Sequence, residues 1–301
     1  MQLGFVTAIL SEWKLPDILK FAADEGFACV EPMCWPSGGV DRRYGGVTHI
    51  DVARLDTDAA GKIHDLVKTH GVSLSGLGYY PNPLHPDPEH RRLVAEHLKK
   101  VITAAGSLGV PVVNTFIGRD PKLSIADNWP LVKQVWPDIM GHADRAGIKI
   151  GIENCPMLFG PNEWPGGANL AVSPAIWQQL FETLPSKNLG LNFDPSHLVW
   201  QHIDYVRCIR DFGKRIVHVH AKDSRIDIDK LYALGSLGIG WHTDKLPGLG
   251  DVAWGKFFSA LTDTGYQGAV CIEVEDRAYE GSVQDRLRAL RQSKRYLEQY
   301  F

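Results

Sequence analysis

The chain has 301 residues, 44% hydrophobic and 22% charged, with 32 basic and 35 acidic side chains for a formal charge of −3. That balance is ordinary for a soluble globular protein and leaves no polyanion-binding footprint, so neither nucleic acid nor an anionic membrane is an expected partner. No apolar run approaches the roughly 20 residues of a membrane span, and five scattered cysteines (Cys29, Cys34, Cys155, Cys208, Cys271) without a CxxC pair read as reduced thiols in a cytoplasm.

In chain order, short apolar runs alternate with amphipathic stretches. The opening MQLGFVTAIL lacks a basic segment and a cleavage site, so it reads as a first strand over 2–9 rather than a signal peptide. Helix is expected over 15–26, strand over 28–34, helix over 57–70, strand over 72–79 and helix over 87–107. Strand 110–118, helix 128–146, strand 148–155, helix 173–184, strand 189–197 and helix 202–213 follow. Strand 216–223, helix 253–265, strand 268–275 and helix 281–299 complete the series. Gly26, Gly71, Gly109, Gly147, Gly213 and Gly265 each follow a helical pattern, where a left-handed cap favours glycine. Runs such as VPVV (110–113) and RIVHV (215–219) suit strands buried on both faces. Eight strand–helix units, with no linker or composition shift, predict a single (β/α)8 TIM barrel over 1–301, with a doubly wound open sheet as the alternative. Residues 224–252 form a long insertion after the seventh strand. It reads either as a lid over the site or as a surface excursion carrying a small helix at 227–234.

The last four strands each carry an ionisable side chain near the C-terminal end: Glu153 in IGIENC, Asp194 in LNFDPSH, His220 in VHVHAKD and Glu273 in CIEVED. Such groups are costly to bury inside apolar strands unless paired or metal-bound. On consecutive strands they converge at the end of a barrel where active sites are built. Three carboxylates and one imidazole make a hard donor set suited to one divalent metal, Mn²⁺ first, with Mg²⁺ or Co²⁺ as substitutes. The competing reading is a salt-bridge network with Lys149, Lys222 or Arg225. No nucleotide cofactor is expected: GSLGIG (235–240) lacks a βαβ setting, and Gly61-Lys62 lacks the upstream glycine of a P-loop.

Around that set, His197 lies three residues past Asp194, within reach of a substrate. Lys222 and Arg225 are candidates to hold substrate hydroxyls or a carboxylate, or else are solvated surface charges. His218 shares the face of His220 and reads as a core group or a support for the ligands. Asp223 reads as an ion-pair partner and Asp251 as the N-cap of the seventh helix. Glu31 and Trp35 near the second strand, and Tyr80, Asn82 and His85 in GYYPNPLHP, are further substrate-binding candidates. Aromatic faces pack on pyranose C–H faces while amides read hydroxyls; taken singly, Trp35 and Tyr79 read first as core packing. No GxSxG element is present and no cysteine has the setting of a catalytic nucleophile.

These strand ends resemble the xylose-isomerase-like barrel superfamily of sugar isomerases, ketose 3-epimerases, inositol-pathway enzymes and apurinic endonucleases. The resemblance rests on IEN (152–154), FDPSH (193–197), HVHAKD (218–223), GLGDVAW (248–254) and IEVED (272–276). In the ketose 3-epimerase branch it implies that Glu153, Asp194, His220 and Glu273 bind one metal, and that His197 and an arginine beyond the seventh strand contact substrate; Arg225 is the nearest here. HAKD and GYYPNPLHP look more like members acting on oxidised sugars or glycosides, including enzymes that eliminate an aglycone from 3-keto-glycosides.

The implied mechanism is proton abstraction beside a carbonyl through a metal-stabilised enediolate, with Glu153 and Glu273 exchanging base and acid roles. The expected enzyme is therefore a metal-dependent carbohydrate isomerase or epimerase acting on a small sugar or keto-sugar. A lyase on 3-keto-glycosides and a non-catalytic sugar-binding protein are the alternatives. An apurinic endonuclease is disfavoured by Asn114 standing where another histidine would be wanted and by the net charge. By resemblance, pairing of exposed barrel helices into a homo-oligomer is also expected.

Overall fold

The computed structural model describes residues 1–38, 45–158 and 166–301. In chain order the elements are β1 (Gln2–Val6), α1 (Leu15–Asp24), β2 (Cys29–Glu31), α2 (Thr57–His70), β3 (Ser73–Leu74), β4 (Leu77–Gly78), α3 (Pro88–Leu108) and β5 (Val112–Thr115). Then come α4 (Ile125–Ala146), β6 (Lys149–Glu153), α5 (Pro174–Thr183), β7 (Leu189–Phe193), α6 (Ser196–Val199), α7 (Tyr205–Phe212) and β8 (Ile216–Ala221). The chain closes with β9 (Asp223–Ile226), α8 (Ile228–Leu234), β10 (His242–Lys245), α9 (Trp254–Asp263), β11 (Ala269–Ile272) and α10 (Val283–Leu297).

Strands β5 and β7 are buried at every residue, as required of strands between outer helices and a filled barrel interior. Nine parallel segments run in the order β3-β2-β1-β11-β8-β7-β6-β5-β4. Segments β3 and β4 are two halves of the expected strand 72–79, parted at Ser75–Gly76, so the ring returns to its start and the barrel has eight strand positions. Glycine is required at the break: a Cβ at Gly76 would lie 2.9 Å from the Asn114 amide nitrogen and 3.4 Å from the Val112 carbonyl. The ring is held past the break by Cys34 N–H donating to the Gly78 carbonyl and Gly78 N–H to that of Pro32. All eight expected strands are present, and the open-sheet alternative is excluded by closure.

Helices α3 and α4 end on Gly109 and Gly147 in the left-handed conformation, with φ of 65° and 68°. Gly213 does not follow this expectation: its φ is −53° and the chain continues into a 3-10 turn. Glycine serves there because a Cβ would meet Thr264 at 2.4 Å. Helix α4 starts at Ile125, ahead of the expected 128, because Ser124 Oγ accepts from Asp127 N–H. It continues through Pro130 and Pro137 because Trp129, Val132, Trp136 and Ile139 are all buried along it.

The insertion contains the small helix expected, now α8, and an antiparallel hairpin that periodicity does not reveal, pairing β9 with β10 from Asp223↔Lys245 to Ile226↔His242. Asp223 is its anchor. Its carboxylate accepts from the Ser224, Gly248 and Val252 amides and from Trp254 Nε1, each at 2.9 Å, so the ion-pair expectation is corrected. Asp251 does not cap the seventh outer helix either; its carboxylate accepts from Ile226 N–H at 2.7 Å, and Ala253 holds the cap position. Among the described residues, no helix is long and apolar enough to cross a membrane.

Candidate metal centre

The centre is built from the ends of β6, β7, β8 and β11. Side chains two apart on a strand share a face, so Glu153 follows Gly151, Asp194 follows Asn192, His220 follows His218 and Glu273 follows Cys271. Pairing of Glu153 with Asn192 and of Cys271 with His220 sets these faces side by side. Gly151 is required below them: a Cβ there would lie 2.3 Å from Asn114 Oδ1.

Glu153, His220 and Glu273 present ligand atoms within 4.8 Å of one another. His220 Nδ1 lies 3.7 Å from Glu153 Oε1 and 3.6 Å from Glu273 Oε2. Asp194 joins from the next strand, its Oδ2 3.2 Å from Lys222 Nζ and 3.4 Å from His197 Nε2. His197 Nε2 is also 3.6 Å from Glu153 Oε1. Two buried atoms of this set, His197 Nε2 and His220 Nδ1, have no hydrogen-bond partner, while Asp194 Oδ2 has the Lys222 ammonium as its ion-pair neighbour. Convergent buried donors left unsatisfied, two imidazoles among carboxylates, fit a divalent cation.

Asparagines fix the ligand-bearing segments. Asn154 donates to the Asp194 carbonyl and accepts from its N–H, both at 2.8 Å. Asn169 donates to the carbonyls of Glu153 and Cys155, while Asp194 Oδ1 accepts from Ser196 N–H. Behind His220, Nε2 lies 2.8 Å from Glu31 Oε2, and Tyr80 donates to Glu31 Oε1 at 2.5 Å. Asn192 bridges Tyr80 and His218, and the other His218 nitrogen meets Ser75 Oγ at 3.1 Å. Such outer partners orient a metal-binding imidazole and raise its basicity.

The electrostatics of the centre are set by Lys222. Its side chain is 2% exposed, with Nζ at 2.6 Å from Glu273 and 2.9 Å from Glu275. Burial opposes its charge, but Glu273, Glu275 and Asp194 hold it protonated well above the usual range. Burial, joined by the charge of Glu273, pushes the Glu153 carboxyl up to about 7. Burial would also raise Glu273, yet the Lys222 ammonium and then His220 hold it below the ordinary carboxylate range. Burial and the nearby Lys222 charge keep His197 neutral, well below the usual histidine value. His220 is the reverse case: burial disfavours its charge, but Glu273 and Glu31 raise it well above normal. Imidazolium and ammonium thus balance the carboxylates, and a metal bound here would have to displace the His220 proton.

The remaining substrate-binding candidates separate into groups. His197 and Lys222 meet the ligand set directly. Glu31 is fully buried behind His220, a position that corrects its reading as a substrate contact, and Tyr80 is tied into the same network. Asn82 is turned to structure: its amide donates to the Arg119 carbonyl and accepts from Leu84 and Arg119 N–H. Trp35 is buried with its ring edge-on to Tyr79 at 5.1 Å, the core packing expected of each singly. His85 lies with its ring tilted 46° to that of His90, centroids 4.3 Å apart, and accepts from Asp87 N–H. Arg225 is exposed on β9 opposite Thr243, displaced from the strand ends because β8 gives way to the hairpin. Residues not singled out from the sequence are Glu275, Asn169 and Asn192. Only Glu275 carried a visible signal, an acid two residues past Glu273 on the same face.

A family model described as the xylose isomerase-like TIM barrel matches residues 19–300. YfiH of Bacillus subtilis strain 168, named as an uncharacterized protein, is 28% identical over 335 residues, covering 97% of this chain and 99% of the relative. An inosose dehydratase of Geobacillus thermodenitrificans strain NG80-2 is 32% identical over 115 residues, covering 36% of this chain and 38% of that protein. Among solved structures, IolI with a bound zinc atom superposes with a TM-score of 0.73 at 17% identity, covering 100% of this chain and 99% of that one.

Proposed function

Because this chain belongs to the xylose isomerase-like TIM-barrel family, whose members include sugar isomerases, epimerases and dehydratases, we propose that it is a divalent-metal-dependent carbohydrate isomerase or epimerase, similar to ketose 3-epimerases. Glu153, Asp194, His220 and Glu273 would hold the cation, Mn²⁺ first. When bound, such an ion polarises a carbonyl oxygen and stabilises charge developing beside it. The zinc atom bound to IolI, which shares the fold, supports a metal-binding role.

The observation carrying the proposal is geometric: two carboxylates flank one imidazole nitrogen, Glu153 Oε1 at 3.7 Å and Glu273 Oε2 at 3.6 Å from His220 Nδ1. Two carboxyl groups at one site are suited to base and acid roles. Glu273, beside the Lys222 ammonium, takes the proton from the carbon next to the carbonyl. Glu153 returns a proton. Return to the opposite face gives the epimer, and return to the neighbouring carbon gives the isomer. His197, neutral and buried beside both Glu153 and Asp194, is placed to accept from a substrate hydroxyl.

A second reading, a lyase acting on 3-keto-glycosides, is favoured by the likeness to an inosose dehydratase over 36% of this chain. Dehydration named for the inosose dehydratase relative is elimination of the same kind. Proton NMR in D₂O of the Mn²⁺-loaded protein, with free ketoses and 3-keto-glycosides, separates the readings. Deuterium beside the carbonyl with the carbon skeleton kept, abolished by chelation and by Glu273→Gln, supports the epimerase or isomerase. Aglycone release with an unsaturated keto-sugar supports the lyase, and no exchange on the panel counts against both.

A further inference from the structure

A second donor cluster adjoins the first at Glu153, whose Oε1 lies near both His197 and His220. Cys155 Sγ, His197 Nε2 and a Glu153 carboxylate oxygen lie within 4.8 Å of one another. Two of these atoms already stand at coordination spacing: His197 Nε2 is 3.6 Å from Glu153 Oε1, and tetrahedral ligands about 2.0–2.3 Å from zinc lie roughly 3.3–3.7 Å apart. His197 is 7% exposed, and its Nε2 has no hydrogen-bond partner. Cys155 is half-buried as a residue.

The backbone after β6 is bent to bring that sulfur in. Met157 adopts φ of 57°, a left-handed conformation that non-glycine residues rarely take. In this turn Met157 N–H donates to Cys155 Sγ at 3.4 Å. The Cys155 carbonyl accepts from Asn169 at 2.7 Å, and the Pro156 carbonyl from Ala168 N–H at 3.0 Å. One of these bonds reaches the sulfur and two hold the backbone carbonyls of Cys155 and Pro156, leaving the thiol within 4.8 Å of a buried histidine nitrogen that has no hydrogen-bond partner.

We propose that Glu153, Cys155 and His197 form a second metal position, selective for a thiophilic divalent cation of the zinc class. It shares Glu153 with the oxygen-rich centre and rests on the proposed function only through that shared ligand. Thiolate, imidazole and carboxylate are a zinc-type donor trio, whereas Mg²⁺ and Mn²⁺ favour the carboxylate-rich side. Three protein ligands leave a fourth position open, the arrangement of a site that admits water or substrate. On binding, the Cys155 thiol proton passes to the buffer and sulfur coordinates as thiolate.

The test is titration of metal-free protein with Zn²⁺ and Co²⁺, reading stoichiometry and the thiolate-to-cobalt charge-transfer band in the near ultraviolet. Wild type should bind two equivalents of Zn²⁺ and show the band with Co²⁺. Cys155→Ser should lose the band and one equivalent while keeping the other, and Asp194→Asn should keep the band. Absence of the band in wild type overturns the proposal, as does a band unchanged in Cys155→Ser, which would place it on another thiol. One equivalent, without the band and lost in Asp194→Asn, overturns the second position while leaving the oxygen-rich centre standing. A band with Zn²⁺ stoichiometry unchanged in Asp194→Asn supports the second position and counts against the first.

Discussion

Nε2 of His220 lies 2.8 Å from Oε2 of Glu31, and this bond decides which face of the imidazole meets the carboxylates. With Nε2–H directed at Glu31, Nδ1 is aimed between Glu153 and Glu273, 3.7 and 3.6 Å away. Tyr80 fixes Glu31 from its other oxygen. Glu31→Gln keeps the shape but removes the charge that holds this tautomer. Outer partners of this kind are worth about 10–100-fold in metal affinity, and a loss of that size is the expected result. Competition of Mn²⁺ binding against a chelating dye measures it; unchanged affinity would show that Glu31 does not orient His220.

The contrast between Glu31 and Glu153 shows what the sequence makes legible. Glu153, Asp194, His220 and Glu273 stand out because each interrupts an apolar strand near its C-terminal end, and strand order alone gathers them. Glu31 ends a strand in the same manner, yet its partners His220 and Tyr80 are 189 and 49 residues away. Periodicity cannot say whether such a group faces a substrate or a neighbouring ligand. The hairpin of β9 and β10 is illegible for a different reason: DSRI and HTDK have no alternating apolar face, and their pairing depends on Asp223 gathering four donors from 224–254. The break in the third strand falls at Ser75–Gly76 beside the neighbouring strand β5, where a Cβ on residue 76 would crowd Asn114, a contact that no local pattern encodes.

Lys222 substitutes for part of a metal's charge before one binds. Its ammonium lies within 3.2 Å of Asp194, Glu273 and Glu275. Removing one member of a buried ion network costs about 3–5 kcal/mol because the partners stay buried without compensation. Lys222→Met should therefore destabilise the metal-free protein by about that amount. Saturating Mn²⁺ should recover a large part of it. Urea denaturation with EDTA and with Mn²⁺ gives both numbers; equal losses under the two conditions would mean that lysine and metal do not share the same carboxylates.

His49 makes stability fall in mild acid. Thr7 Oγ1 is 2.7 Å from its Nδ1 and the Leu10 carbonyl 3.3 Å from its Nε2. Burial lowers its pKa to about 4, partly offset by the Leu10 carbonyl. The unfolded chain protonates this histidine near 6.5, so between pH 6.5 and 4 the unfolded state binds more protons and is favoured as pH falls. The contribution is complete above pH 6.5 and lost on descending through that window, by at most about 1.4 kcal/mol per pH unit. His49→Asn should flatten the stability–pH curve there, whatever its offset at pH 7. Denaturation midpoints at half-unit steps from pH 7.5 to 4.5 decide the matter, and a wild-type slope retained in the variant would assign the acid sensitivity to other groups.

Asp223 holds the insertion to the barrel. The Ser224, Gly248 and Val252 amides and the Trp254 indole all donate to its carboxylate at 2.9 Å, and Gly250 is tolerated only without a side chain, since a Cβ would sit 2.3 Å from Asp223 Oδ1. Hydrogen bonds to a charged acceptor are worth about 1.5–3 kcal/mol each. Asp223→Asn replaces one acceptor oxygen with an NH₂ that faces donors, so it leaves at least one buried N–H unsatisfied. The expected loss is about 2–3 kcal/mol, concentrated in 224–252 because the eight barrel strands keep their own pairing. Hydrogen exchange should therefore show faster exchange at Gly248 and Val252, and along the β9–β10 hairpin, while amides of β6 and β7 remain protected. Uniform acceleration across the barrel would mean instead that this carboxylate supports the whole fold.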